Sequence, residues 1–189
     1  MPTTIKCNFY ANFITSDNIQ HNLESLDKLY DLWDEHNLLI KPKIVIIGSI
    51  IEASLFDFVY RIKTHTKEFQ ALPEEKLRYV RALVKNHARH AEKLADICTN
   101  GLILSGDSEF WDDMTKIRYL RNRTHIQNDK GHLPKHENKA FTELELNRAE
   151  AVIIKFFRYM QETYPRPEKN IPLVDFIFSN RLIGKHYPI

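Results

Sequence analysis

Glycine is scarce, with five in 189 residues against about 7% in an average protein. Sheet-rich folds spend glycine at tight turns and bulges, so the shortage favours helices. Cysteine is rarer still. Cys7 and Cys98 stand far apart in no ligand-like spacing, which excludes a disulfide framework and a cysteine zinc site and suits a reducing compartment. Charge of one sign is also lacking. Twenty-seven basic against 25 acidic residues leave a net +2, so any contact with a polyanion has to come from local clustering. No long uninterrupted apolar run occurs: the greasiest stretch, Ile44 to Tyr60, contains Glu52 and Asp57, and Met1 to Asp17 has no basic start followed by an apolar run. Neither a membrane span nor a secretory signal is expected, and the location implied is cytoplasmic.

What is present is an ordinary globular composition, 43% hydrophobic and 28% charged. A single domain of this length buries about two-thirds of its unfolded surface and needs no disulfide or metal to fold. The expected fold is an all-α, single-domain bundle of about five helices over residues 1–163, followed by a short irregular, proline-containing tail over 164–189.

Periodicity and capping locate the helices. The first spans about Asn18 to His36, with Asp17 and Gln20 as a capping signature and Ile19, Leu23, Leu26, Leu29, Tyr30 and Trp33 on one face. The second spans about Lys41 to His65, with Pro42 in its first turn, and is apolar nearly all round, as a central helix would be. The third runs from Pro73 to Thr99, its basic stripe (Arg78, Arg81, Lys85, Arg89, Lys93) lying opposite an apolar face that holds His87. The fourth follows the Ser105–Ser108 turn and covers about Glu109 to Gln127. The fifth opens on a Thr142/Glu145 capping box and covers Glu143 to Thr163. A sheet of more than two strands is not expected.

The chemistry-bearing residues gather on the fourth helix. Arg118 and His125 are seven residues apart and differ by only about 20° around the axis. Arg121 and Asn122 fall on the same stripe, while Ile117, Leu120 and Thr124 point elsewhere. A histidine near its ordinary pKa of ~6.5 can act as base or acid at neutral pH. Arginine offers planar bidentate donors to phosphate oxygens. Together they suit attack of a ribose 2′-hydroxyl on the adjacent phosphate.

Arg118 with His125 resembles the Arg-x(4–6)-His signature of the HEPN superfamily (higher eukaryotes and prokaryotes nucleotide-binding). The apolar helix beginning Ile44-Val-Ile-Ile-Gly-Ser-Ile-Ile-Glu52 is similar to that family's early helix with an embedded acid. The resemblance covers roughly Ile40 to Arg158. It implies a small all-α bundle, commonly a homodimer pooling its Arg and His residues in one cleft, that acts as a metal-independent endoribonuclease of toxin or phage-defence type. RNA would be the substrate and an antitoxin protein a candidate partner, with no cofactor or metal. His125 would move the proton, Arg118 or Arg121 would stabilise the phosphoryl oxygens, and Asn122 would hold the phosphate or the histidine tautomer. Two departures stand out: the family's Arg-Asn dipeptide is here Arg121-Asn122, three residues short of His125, and Gln127 stands where some members carry a tyrosine.

Glu52, an acid on an apolar side, is either a structural salt-bridge partner or a residue orienting Arg118 or Arg121. Arg123 with Arg78, Arg81, Lys85 and Arg89 could track phosphates; a solvated face is the plainer reading of the long stripe. His132 and His136 flank Pro134, which removes helical metal-ligand geometry. No phosphate-binding glycine loop, Ser-His-Asp pattern or HExxH occurs. Two rival functions are a non-catalytic module binding RNA or nucleotide, and an interaction domain working through the apolar patch Ile171 to Phe178.

Overall fold

The computed structural model describes residues 3–6, 9, 13–64, 74, 78, 107–123, 132–166 and 175–178. Within them the chain is an all-α bundle: α1 (Phe13–Asp31), α2 (Ile40–Thr64), α3 (Ser108–Asn122), the single turn α4 (Glu137–Ala140) and α5 (Glu143–Thr163). Most of the expected third helix lies outside the described residues; Glu74 and Arg78 are helical and exposed. His87, Arg81, Lys85, Arg89, Cys7 and Cys98 lie outside them too.

α2 is the centre, packed against α1, α3 and α5. Its all-round apolar surface is what such a position demands. Ile44, Ile47, Ile50, Leu55 and Phe58 are buried there, against Leu23 and Leu26 of α1, Ile117 and Leu120 of α3, and Ile153, Phe156 and Phe157 of α5. Each such side chain contributes about 1.5–3 kcal/mol by leaving water. No described helix is long and apolar enough to cross a membrane.

The helix ends follow local chemistry. Thr142 Oγ1 accepts the Glu145 N–H at 3.3 Å and starts α5 at Glu143, as the capping box implies. The Glu145 carboxylate turns to Arg148 at 2.6 Å and Lys116 at 2.5 Å, and Arg148 also meets Asp113 at 2.5 Å, tying α5 to α3. Asp107 caps α3 by accepting the Phe110 N–H at 3.0 Å, and Lys155 of α5 pairs with its carboxylate. α1 departs from the sequence expectation: it begins at Phe13, so Asp17 and Gln20 lie inside it, Gln20 bonding Glu24 one turn on. It ends at Asp31, and in the turn that follows the Asp34 carboxylate accepts the N–H groups of Leu38 and Leu39, both at 2.7 Å, while Asn37 takes a φ of 56°. Trp33, expected in the core face, is therefore past the helix and 89% exposed.

The tail is not irregular throughout. Asp175–Phe178 forms β2, antiparallel to β1 (Thr3–Lys6), with Thr3 opposite Phe178 and Lys6 opposite Asp175. This two-stranded ribbon lies on α1 and α5. Beside it, the buried Arg61 of α2 donates to Phe9 O at 3.1 Å, to Tyr164 O and to Pro165 O at 3.0 Å. One guanidinium thus joins the N-terminal segment, α2 and the end of α5.

Candidate functional site

α2 and α3 cross where two helical turns face each other, Gly48 and Glu52 on one side, Ile117 and Arg121 on the other. A Cβ on Gly48 would lie 2.9 Å from Arg121 Cβ, 3.2 Å from its Cγ and 3.4 Å from Ile117 Cγ2. Only glycine lets the helices come this close. One turn along, the Arg121 guanidinium reaches Glu52, Nη2 to Oε2 at 2.7 Å. Its Nη1 donates to Asn122 Oδ1 at 3.0 Å. With the two side chains 37% and 25% exposed, the ion pair adds at most about 1 kcal/mol to stability. Its consequence is orientation: the guanidinium is held at two points. Glu52, read from the sequence as an acid on an apolar side, sits at the lip of a cleft.

Of Arg118 and Arg121, Arg121 is the one Glu52 holds. Arg118 is half-buried and lies against the neighbouring Tyr119 ring, 5.3 Å from its centroid. It has no carboxylate or carbonyl partner among the described residues, which leaves its donors for a ligand. Ile117 and Leu120 are buried, as the helical wheel demands, but Arg121 shares the side of Ile117 where α3 meets Gly48 of α2. α3 ends at Asn122, and His125 lies outside the described residues, as do Thr124 and Gln127.

Arg123 is committed to the following loop. It pairs with Glu137 at 2.9 Å and donates to the carbonyls of Pro134 and Lys135. Lys41 of α2 pairs with the same Glu137 at 2.6 Å. Burial opposes ionisation of this carboxyl, but the hydrogen bonds from Lys41 and Arg123 outweigh it and hold Glu137 below the usual carboxylate range. His132 stacks on Tyr119 with centroids 4.5 Å apart and planes 9° from parallel, and His136 precedes α4. No group of three or more His, Cys, Asp or Glu side chains suited to a metal occurs among the described residues.

The cleft beside this crossing holds about 390 Å³. α1 supplies Thr15, Asn18 and Asn22, α2 supplies Ser49, Glu52, Ala53 and Phe56, and α3 supplies Arg121. The sequence reading marked Glu52 and Arg121 but passed over the α1 residues, Phe56 and Gly48. Gly48 carried a signal, since a glycine alone inside an apolar helical run flags a close approach. The α1 residues carried none, as polar side chains on an outer face look like solvated surface. Comparison with protein-family models, with curated proteins and with solved structures finds no match to this chain.

Proposed function

We propose that the chain is a metal-independent endoribonuclease of HEPN type, working as a homodimer and serving as a toxin or defence effector. The observation that carries the reading is the division of labour between two arginines on the motif helix. Arg121 is fixed by Glu52 and Asn122, and Arg118, seven residues before His125, has no carboxylate or carbonyl partner among the described residues.

In this scheme the ribose 2′-oxygen attacks the adjacent phosphorus, the bond to the 5′-oxygen breaks, and a 2′,3′-cyclic phosphate remains. His125 takes the 2′-hydroxyl proton or gives one to the leaving 5′-oxygen. Arg118 neutralises the phosphoryl oxygens, and Arg121, held by its carboxylate, fixes the approach of the neighbouring phosphate. Asn122 acts by orienting Arg121. Exposed Arg78 and the rest of its stripe would track the distal strand. The cleft also supports a second reading, a non-catalytic module that binds RNA or nucleotide, because it is complete without His125.

The deciding experiment is RNA cleavage in EDTA. His125→Ala should lower the rate by about 10²–10⁴ with the fold intact. Arg118→Ala should cost more than Arg121→Ala, and Arg118→Lys should rescue only partly, since an ammonium cannot make the bidentate contact. Activity should vanish on dilution together with the dimer. Full activity in His125→Ala or in a monomer, or a strict metal requirement, would overturn the mechanism.

A further inference from the structure

The cleft between α1, α2 and the end of α3 has the make-up of a site for a flat, hydrogen-bonding ring. Its volume of about 390 Å³ falls at the small end of ligand sites, which run to roughly 300–1,000 Å³. Phe56 offers an apolar ring that is 42% exposed, although it stands on the central helix of the bundle. One turn before it on the same face, Glu52 gives Oε2 to Arg121, and its Oε1 has no partner among the described residues. Across the cleft, the Asn18 amide and the Thr15 hydroxyl make no side-chain hydrogen bond among the described residues. Asn22, which also lines the cleft, donates an amide N–H to Asn18 O at 2.7 Å, so its Oδ1 is not the atom used in that bond. An aromatic face, a carboxylate oxygen and amide groups therefore converge beside an arginine already fixed in place.

We propose that this cleft binds one unstacked nucleobase of single-stranded RNA. The base lies on Phe56 and turns an exocyclic amino group to Glu52 Oε1. Stacking on an aromatic side chain is indifferent to base identity, whereas hydrogen bonds to the base edge discriminate. A carboxylate only accepts, so it suits the amino groups of cytosine and adenine and opposes the carbonyl at the same position in uracil. Glu52 is then both a positioning residue for Arg121 and a selector of the neighbouring base. The choice of RNA as the source of the base rests on the endoribonuclease reading.

The test is anisotropy of labelled hexacytidylate and hexauridylate bound to the full chain, with 2′-O-methyl riboses so that no cleavage intervenes. These pyrimidines match in size, so a difference reports the edge. Hexacytidylate should bind about 10-fold tighter, the scale of one good side-chain contact to a base edge. Phe56→Ala should weaken both by about 10-fold, as loss of one stacking partner does, and Phe56→Tyr should restore them. Glu52→Gln should abolish or reverse the preference, because its amide can donate to the uracil O4. A merely structural role for Glu52 would lower both affinities alike. Equal binding of the two oligomers, or affinities unmoved by Phe56→Ala in a chain that still melts normally, overturns the proposal. Metal-free cleavage with no base preference would sink the cleft and spare the enzyme; base-selective binding without cleavage would do the reverse.

Discussion

Arg61 on α2 and Arg121 on α3 are held in opposite ways. Arg61 is buried and gives its donors to backbone carbonyls of Phe9, Tyr164 and Pro165. Arg121 is more than a third exposed and gives one Nη donor to a carboxylate and the other to an amide, at the edge of an open cleft. A buried guanidinium cannot turn to a ligand without abandoning several hydrogen bonds. A carboxylate-bound one at a cleft edge keeps its planar face and remaining N–H groups toward solvent. Burial, rather than the residue, separates the strut from the candidate site.

The largest effect that can break this contrast is loss of Arg61. Arg61→Met leaves carbonyls of two segments without their charged donor. Hydrogen bonds to charged groups contribute about 1.5–3 kcal/mol each, so the stability loss should be at least about 3 kcal/mol by urea denaturation. Arg121→Met should stay within about 1 kcal/mol of the parent while weakening the action on RNA that is proposed above. Equal destabilisation by both would erase the distinction.

Gly48→Ala sharpens the comparison at the cleft end. The added methyl meets Arg121 Cβ at 2.9 Å, the rigid root of that side chain rather than its flexible head, so α3 has to move. Overpacking of this kind costs about 1–3 kcal/mol, and the gain of alanine over glycine in a helix returns about 1 kcal/mol. A net loss of about 0–2 kcal/mol is expected. The Glu52–Arg121 coupling in a double-mutant cycle should fall towards zero in this background. Unchanged coupling would show that the close approach is not what brings the pair together.

These residues also show what was legible beforehand. α5 follows its capping box to the residue, because Thr142 and the apolar stripe agree. The start of α1 misled, because Asp17 and Gln20 imitate a cap although they sit within a helix begun at Phe13. Its end misled as well, since Asp34 caps the amides of a later turn and leaves Trp33 outside. In the site, angular spacing set Arg118, Arg121 and Asn122 on one helix, but α3 ends at Asn122, short of the expected Gln127, and His125 lies outside the described residues. The choice of Arg121 as the partner of Glu52 could not be read from spacing, because it depends on how closely two helices distant in sequence approach. Gly48 sets that distance, and a helical wheel contains no such information.

The smallest expected effect concerns two acids on the same helix segment that ionise in opposite directions. Asp107 lies below the usual carboxylate range because Lys155 and the Phe110 N–H bond its charged form. Asp113 lies above it because burial disfavours its charge more than Arg148 favours it. For Asp107 the unfolded chain binds protons more readily than the folded one, so its contribution is in place above the unfolded pKa near ~3.9 and is lost as pH falls through the lower folded value. For Asp113 the folded chain protonates first, so its contribution improves as pH falls through the raised value. The two partly cancel on the acid side. Asp107→Asn retains an oxygen for the Phe110 N–H but removes the titration, so the acid limb of stability against pH should flatten. Asp113→Asn removes the opposing part, so that limb should steepen. Urea midpoints between about pH 3 and 6 would measure both slopes, and a change of the same sign in the two variants would show that the pairs with Lys155 and Arg148 do not divide these acids as described.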